Sequence, residues 1–517
     1  MPAEHVIVVG AGIGGLVAAL LLAARGVAVT VVEQSAGPGG KMRQIEIAGR
    51  RIDAGPTVFT MRPVFEEIFA AAGASLSDHV VLHKSEILAR HAWSDSERLD
   101  LFTDIERSAD AIGDFAGARE AQGYRAFCER ARCIYESLDR RFIHAPRPSL
   151  NGLVTAFGLK RLGELWQISP FVNLWNALGE HFRDPRLRQL FGRYATYCGS
   201  SPFSAPATLM LVAHVEREGV WLIDGGMHRL AQALAAVATR NGANLRHRSQ
   251  VKEVVVESGR VAAVRLASGE RIAADAVLIN ADTAAIGGGR FGPAIAAAAP
   301  PTAPASRSLS AITWAMAAPT RGFPLLRHNV FFSSDYADEF ACIADGRLPS
   351  APTVYVCAQN RNDIGAATTD GAANGSPEAL LCLVNAPANG DKKTLEPAEI
   401  SQCEERTFAL LERCGLHIAR QSENTVITTP RDFERLFPAT GGALYGPASH
   451  GWMASFRRPG SRTRIPGLYL AGGSTHPGPG VPMAAISGRL GAEAMLADFA
   501  STRRLRPAAM FGGMSMR

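Results

Sequence analysis

The chain has 517 residues, of which 47% are apolar, and a formal net charge of +6 spread along its length. That is enough for two sizeable domains, while so mild a basic excess, without a basic stripe interleaved with aromatics, speaks against a nucleic-acid binder. Eight cysteines without a CxxC pair indicate neither a zinc site nor a disulfide framework, so no metal is expected.

The first element is an apolar strand, HVIVVG, running into GAGIGG, an Ala/Leu-rich helix, and a second strand, VAVTVVE, ending at Glu33. Gly10 permits the tight turn, Gly12 a close backbone approach, and Gly15 close packing of helix on strand, with Ile13 and Gly14 opening the helix. Glu33 follows Gly12 by 21 positions. A pyrophosphate at the helix N-terminus and ribose hydroxyls on the acid are the ligand groups this order requires. The strand and helix at 6–24 are apolar enough to imitate a signal peptide. However, MPAEH offers no cationic lead and the run carries the turn glycines, so a cytoplasmic chain starting near Met1 is expected.

After Glu33 comes QSAGPGGKMRQ, where Gly39, Gly40, Lys41 and Arg43 either bring amides and positive charge to the same pyrophosphate or form a turn with a solvated lysine. RIDAGPTVFT follows at 51–60. Together these stretches resemble the N-terminus of FAD-dependent amine oxidases and carotenoid desaturases. The resemblance implies FAD rather than NAD, with Glu33 on the adenosine ribose and the segment from Asp53 to Val58, including Thr57, beside the flavin.

From about 86 to 214 the text changes to helical patterns rich in Arg, Phe and Trp. Within it, 155–177 sets Phe157, Leu162, Trp166, Phe171 and Trp175 beside Lys160 and Arg161, which suits either an interfacial helix or a core helix. Arg193, Tyr194, Thr196 and Tyr197 then precede the return of Rossmann-like text and are candidates to line a cavity. Their hydroxyls serve either an oxygenated substrate end or internal hydrogen bonds.

That return holds a helix after Gly225 and Gly226, a strand at Ala243 to His247, a β-meander, and the strand AVLINAD at 276–282. The resemblance places Val251 at the adenine and makes Asn280 and Asp282 cofactor neighbours. A Gly/Pro-rich linker opens a second excursion, at about 303–425.

The third return, PGLYLAGGSTHPGPGVPMAAISGRLGAEAML at 466–496, delivers Gly472 and Gly473 to a turn. A helix follows, started by Val481, Pro482 and Met483. A helix N-terminus aimed at a flavin's pyrimidine edge stabilises the negative charge that builds on reduction. Its loop THPGPGVP resembles that of bacterial carotenoid desaturases, and with GGALYGP and SFRRPG the similarity covers nearly the whole chain. The chain is identified as a member of the phytoene-desaturase-like flavoproteins. GGKMR and THPGPGVPM stand closer to the branch acting on 1-hydroxy or 1-methoxy acyclic carotenoids.

The resemblance implies an α/β chain (α+β overall). A Rossmann-like FAD-binding domain of the glutathione-reductase/amine-oxidase type would occupy 1–85, 215–290 and 426–500. It is interrupted by a mixed substrate domain at 86–214 and 303–425 with a helical membrane-associating part, and 501–517 is a flexible tail. The implied reaction is 3,4-desaturation of a 1-hydroxyneurosporene-type or 1-methoxy carotenoid, by hydride transfer to flavin and proton loss. A multi-step phytoene desaturase, an amine-oxidase-like enzyme and a non-enzymatic lipid escort are the alternatives. His476 and Asp53 are the candidate proton acceptors, His476 equally a loop-ordering hydrogen bonder. A polyene substrate as long as a bilayer core is thick, on the order of 30 Å, implies peripheral attachment to an inner or photosynthetic membrane. The electron acceptor stays open between oxygen and a quinone.

Overall fold

The computed structural model describes residues 4–146, 172–368, 376–451 and 453–505. Its central element is a five-stranded parallel sheet built from three distant parts of the chain. The strand order is Leu468–Leu470, Ala276–Ile279, His5–Val9, Ala28–Val32 and Asn244–Arg246. Strands covered on both faces read as continuous apolar runs, and VIVV, VTVV and AVLI do so. The helices Ile13–Ala23, His228–Arg240 and Val481–Leu505 cover one face. The antiparallel meander Val251–Glu257, Arg260–Leu266 and Arg271–Ala273 packs on the other.

A second, seven-stranded sheet has the order Thr425–Thr428, Ser310–Ala318, Glu378–Ala386, Val354–Ala358, His328–Phe331, Ile87–Ala92 and Arg98–Phe102. Its last two strands differ from the sequence expectation, which read 86–214 as helical. In RLDLF, Leu99 and Leu101 turn inward while Asp100 faces out to hold Arg90 with paired hydrogen bonds of 2.7 Å, so a period of two governs this short stretch. Helices dominate only from Ile105 onward.

The helix Val481–Leu505 runs into the stretch read as a flexible tail. No Gly or Pro interrupts STRRL. Most of the expected docking helix, including Phe157, Lys160, Arg161, Leu162, Trp166 and Phe171, lies outside the described residues. Trp175 packs against the small cluster of Leu309, Tyr336, Phe340 and Ile343, 4.8 Å from the Phe203 ring and beneath the Arg188 guanidinium. No helix among the described residues is long and apolar enough to cross a membrane.

Candidate functional site

The glycine turn sets the shape of the site. Gly10 has φ +95°, and a Cβ at Gly15 would run into the Gly10 carbonyl oxygen, so the helix lies against the strand closer than any side chain allows. The Asn280 amide, with its oxygen facing the helix, accepts from the N–H groups of Gly12 and Gly15 at 3.2 Å each. Gly12 has no side chain to cap the helix and no acid stands in its first turn, so between the two amides that Asn280 takes, the N–H groups of Ile13 and Gly14 are left for an anion. Glu33 is buried, its two oxygens accepting from Ala11 N at 2.7 Å and Ser35 N at 2.8 Å. Each oxygen retains a lone pair, as ribose recognition requires.

These parts open on one cavity of about 1360 Å3, larger than the roughly 300–1,000 Å3 of a pocket for one drug-sized ligand. Gly10, Gly12, Ile13, Gly14, Glu33, Gly40, Lys41, Thr57, Val58, Val251, Asn280, Asp282, Gly472, Gly473, Val481, Pro482 and Met483 all line it. Gly15 stands behind the wall. Two cations, the buried Arg458 and the half-buried Lys41, add positive charge. Lys41 donates to Leu444 O at 2.6 Å, and burial lowers its ammonium pKa against the opposing pull of Asp282. Arg458 donates to Pro447 O at 2.6 Å and Gly473 O at 3.2 Å, and burial lowers it to about 10. Arg458 falls in SFRRPG, where the resemblance marked the stretch but no residue.

Beyond the Thr57 segment the cavity continues between Leu138, Phe142, Leu209, Val212 and Phe456 on one side and Tyr355, Leu381 and Leu383 of the seven-stranded sheet on the other. Arg193, Thr196 and Tyr197 line it, as does Glu216, which accepts from Tyr194 Oη at 2.8 Å. Glu216 and Tyr355 are separated from the Arg193 segment in sequence, and no motif marks them.

The two proton-acceptor candidates are not on the cavity wall. The Asp53 carboxylate sits at the start of the helix His228–Arg240, accepting from Met227 N at 2.6 Å, from His228 N at 3.4 Å and from the Gln44 amide at 3.0 Å. Its carboxylate is a helix-capping group, which corrects the catalytic reading. His476 is 1% exposed, set edge-on to Phe142 at 5.0 Å, with Nε2 2.9 Å from Ala145 O. It orders the loop, the other of the two uses open to it.

Burial depresses His476 to about 4, so the folded chain holds it neutral while the unfolded chain protonates it below about pH 6.5. Its stabilising contribution is therefore complete above pH 6.5 and is lost as pH falls toward 4. His476→Gln keeps a donor toward Ala145 and cannot titrate. Urea unfolding should show its stability change between pH 7 and pH 5 differing from that of the unmodified chain by about 2 kcal/mol, in the direction of less acid destabilisation. Parallel pH profiles would refute this.

The parallel sheet, its glycine turn, the acid ending its second strand and a second helix N-terminus on one cavity are those of an FAD-dependent oxidoreductase. The chain belongs to the flavin containing amine oxidoreductase family, whose model matches residues 13–496. It is 55% identical to a hydroxyneurosporene desaturase of Rubrivivax gelatinosus, over 99% of this chain and 97% of that one. To a hydroxyneurosporene desaturase of Cereibacter sphaeroides it is 44% identical, over 96% and 99%. Among solved structures, a putrescine oxidase bound to putrescine shares the fold, with a TM-score of 0.58 at 15% identity over 96% of this chain and 99% of that one.

Proposed function

We propose that the chain introduces a double bond at the 3,4-position of an acyclic carotenoid carrying a hydroxyl or methoxyl at C1, working at a membrane surface. The observation that carries this reading is the continuous cavity. It begins as a dinucleotide groove at Gly10 to Glu33 and extends, past Thr57 and Val58, as an apolar channel. The extensive similarity to hydroxyneurosporene desaturases supports the same substrate class.

Bound FAD supplies a hydride acceptor. Desaturation removes two hydrogens from adjacent saturated carbons, one with its electron pair and one as a proton, and the neighbouring polyene spreads the charge left between the two losses. The protein's work is mainly alignment. In this reading Glu33 holds the ribose, and the amides of Ile13 and Gly14 and the Lys41 and Arg458 charges hold the pyrophosphate region. The N–H groups of Val481 and Met483, on either side of Pro482, which has none, stand where negative charge develops. Phe142, Phe456 and Val212 keep water from the target bond. A polyene on the order of 30 Å long is scarcely water-soluble, so substrate enters from a bilayer and the chain attaches peripherally, on the cytoplasmic side of the membrane.

FAD-loaded protein incubated with liposomes containing 1-hydroxyneurosporene, neurosporene or phytoene tests the reading. A red-shifted product from the 1-hydroxy compound is the expected result. Successive desaturation of phytoene would replace this reading with that of a phytoene desaturase, and turnover of amines alone would overturn it.

A further inference from the structure

Arg193 opens the short helical stretch Arg193–Cys198 and faces the cavity. Its NH1 donates to Tyr197 Oη at 3.3 Å, and its guanidinium lies over the Tyr197 and Tyr355 rings, at 5.2 and 5.5 Å. Among the described residues it forms no ion pair, and its remaining donors have no hydrogen-bond acceptor. A guanidinium cannot shed its charge inside a protein, so free donors on an apolar wall call for an acceptor from outside. Glu216 on the same wall supports the cation only in part, because burial raises its carboxyl toward the neutral form and the Tyr194 and Tyr197 hydroxyls both engage it.

Position narrows the acceptor. The Tyr355 hydroxyl lies 2.6 Å from Thr57 Oγ1, and Thr57 adjoins Val58 on the wall facing the dinucleotide groove. Arg193 is thus one side chain away from that strip. In an acyclic carotenoid desaturated at C3 and C4, the C1 carbon is about 4 Å or less from the bond that reacts, at about 1.5 Å per carbon–carbon bond. A group that reads a substituent on C1 has to stand beside the reacting centre, not at the far end of the channel. Tertiary alcohols and methyl ethers both accept hydrogen bonds, and a guanidinium serves both. The unoxygenated hydrocarbon serves neither donor and strands the cation.

We propose that Arg193 hydrogen-bonds the C1 oxygen of the substrate and is the residue that selects oxygenated over hydrocarbon carotenoids, a refinement resting on the desaturase reading above.

The test compares kcat/KM of FAD-loaded protein for 1-hydroxyneurosporene, its 1-methoxy ether and neurosporene in liposomes. The unmodified chain should favour both oxygenated compounds by at least about 100-fold, because a site built for hydrogen bonding strongly rejects an analogue that lacks the partner. Arg193→Met should bring that ratio to within about threefold of one, mainly by raising KM for the oxygenated compounds. Arg193→Lys should keep part of the preference. An unmodified chain that shows no preference, or an Arg193→Met variant with the original ratio, overturns the proposal while leaving the desaturase reading intact. Failure of the unmodified chain to desaturate any of the three overturns the reading beneath it. If Arg193→Met takes up no flavin, Arg193→Gln carries the test, with neutral donors and an expected intermediate ratio; an unchanged ratio there overturns the proposal.

Discussion

Gly15→Val is expected to yield a chain that folds but is purified nearly colourless. A side chain at this position meets the Gly10 carbonyl oxygen and the Asn280 amide at once. The carbonyl cannot retreat easily, because Gly10 N donates to Val32 O at 2.8 Å at the end of the neighbouring strand. Relief must come from lifting the helix off the sheet, which drags Gly12 and Gly14 away from the pyrophosphate position. Overpacking of this kind costs about 1–3 kcal/mol, a fraction of the stability expected of so large a core. Bound flavin, read from absorbance per chain, should fall at least about tenfold, whereas helical signal should remain. Gly37→Ala is the matched control: it lies in the adjoining loop, and a Cβ there meets nothing within 4 Å. Full flavin content in Gly15→Val would refute the account of the turn.

The second large effect is at Glu33. Glu33→Ala removes the acceptor for Ala11 N and Ser35 N together with the carboxylate proposed for the ribose. Hydrogen bonds to a charged group contribute about 1.5–3 kcal/mol each, so apoprotein titrated with FAD should show a dissociation constant raised about 100-fold. Glu33→Gln retains one acceptor oxygen and should fall between the two. An unchanged constant for Glu33→Ala would place the ribose elsewhere.

The three glycine-bearing returns were legible in the sequence because each combines an apolar strand, a turn that only small residues satisfy, and a helix. The structure sets their strands in one sheet. What the sequence could not supply was direction. Asp53 and His476 both stand in stretches that border the cavity, yet their side chains turn into backbone, to cap one helix and to tie one loop. Polar residues in flavin-adjacent text are equally suited to either use, and only the packing of distant residues decides between them. The strand Ile87–Ala92 was obscured for a related reason. It carries Arg90 and a fully enclosed His91, residues that read as surface text, and its partner strand Arg98–Phe102 is only five residues long. The Arg193 environment was half visible. Arg193 and Tyr197 fall four apart in one segment, while Glu216 and Tyr355 arrive from other elements.

The edge strand Leu468–Leu470 bonds to Ala276–Ile279, which in turn bonds to His5–Val9. During synthesis, the opening strand therefore leaves the ribosome more than four hundred residues before the last parallel partner has been made. Domains ordinarily settle in the order of translation, but here the N-terminal strand and its glycine turn, paired early with Ala28–Val32, gain their last partners only with the C-terminal strand and helix. The complete groove, with Gly472 and Val481 on its wall, therefore exists only once nearly the whole chain has been made.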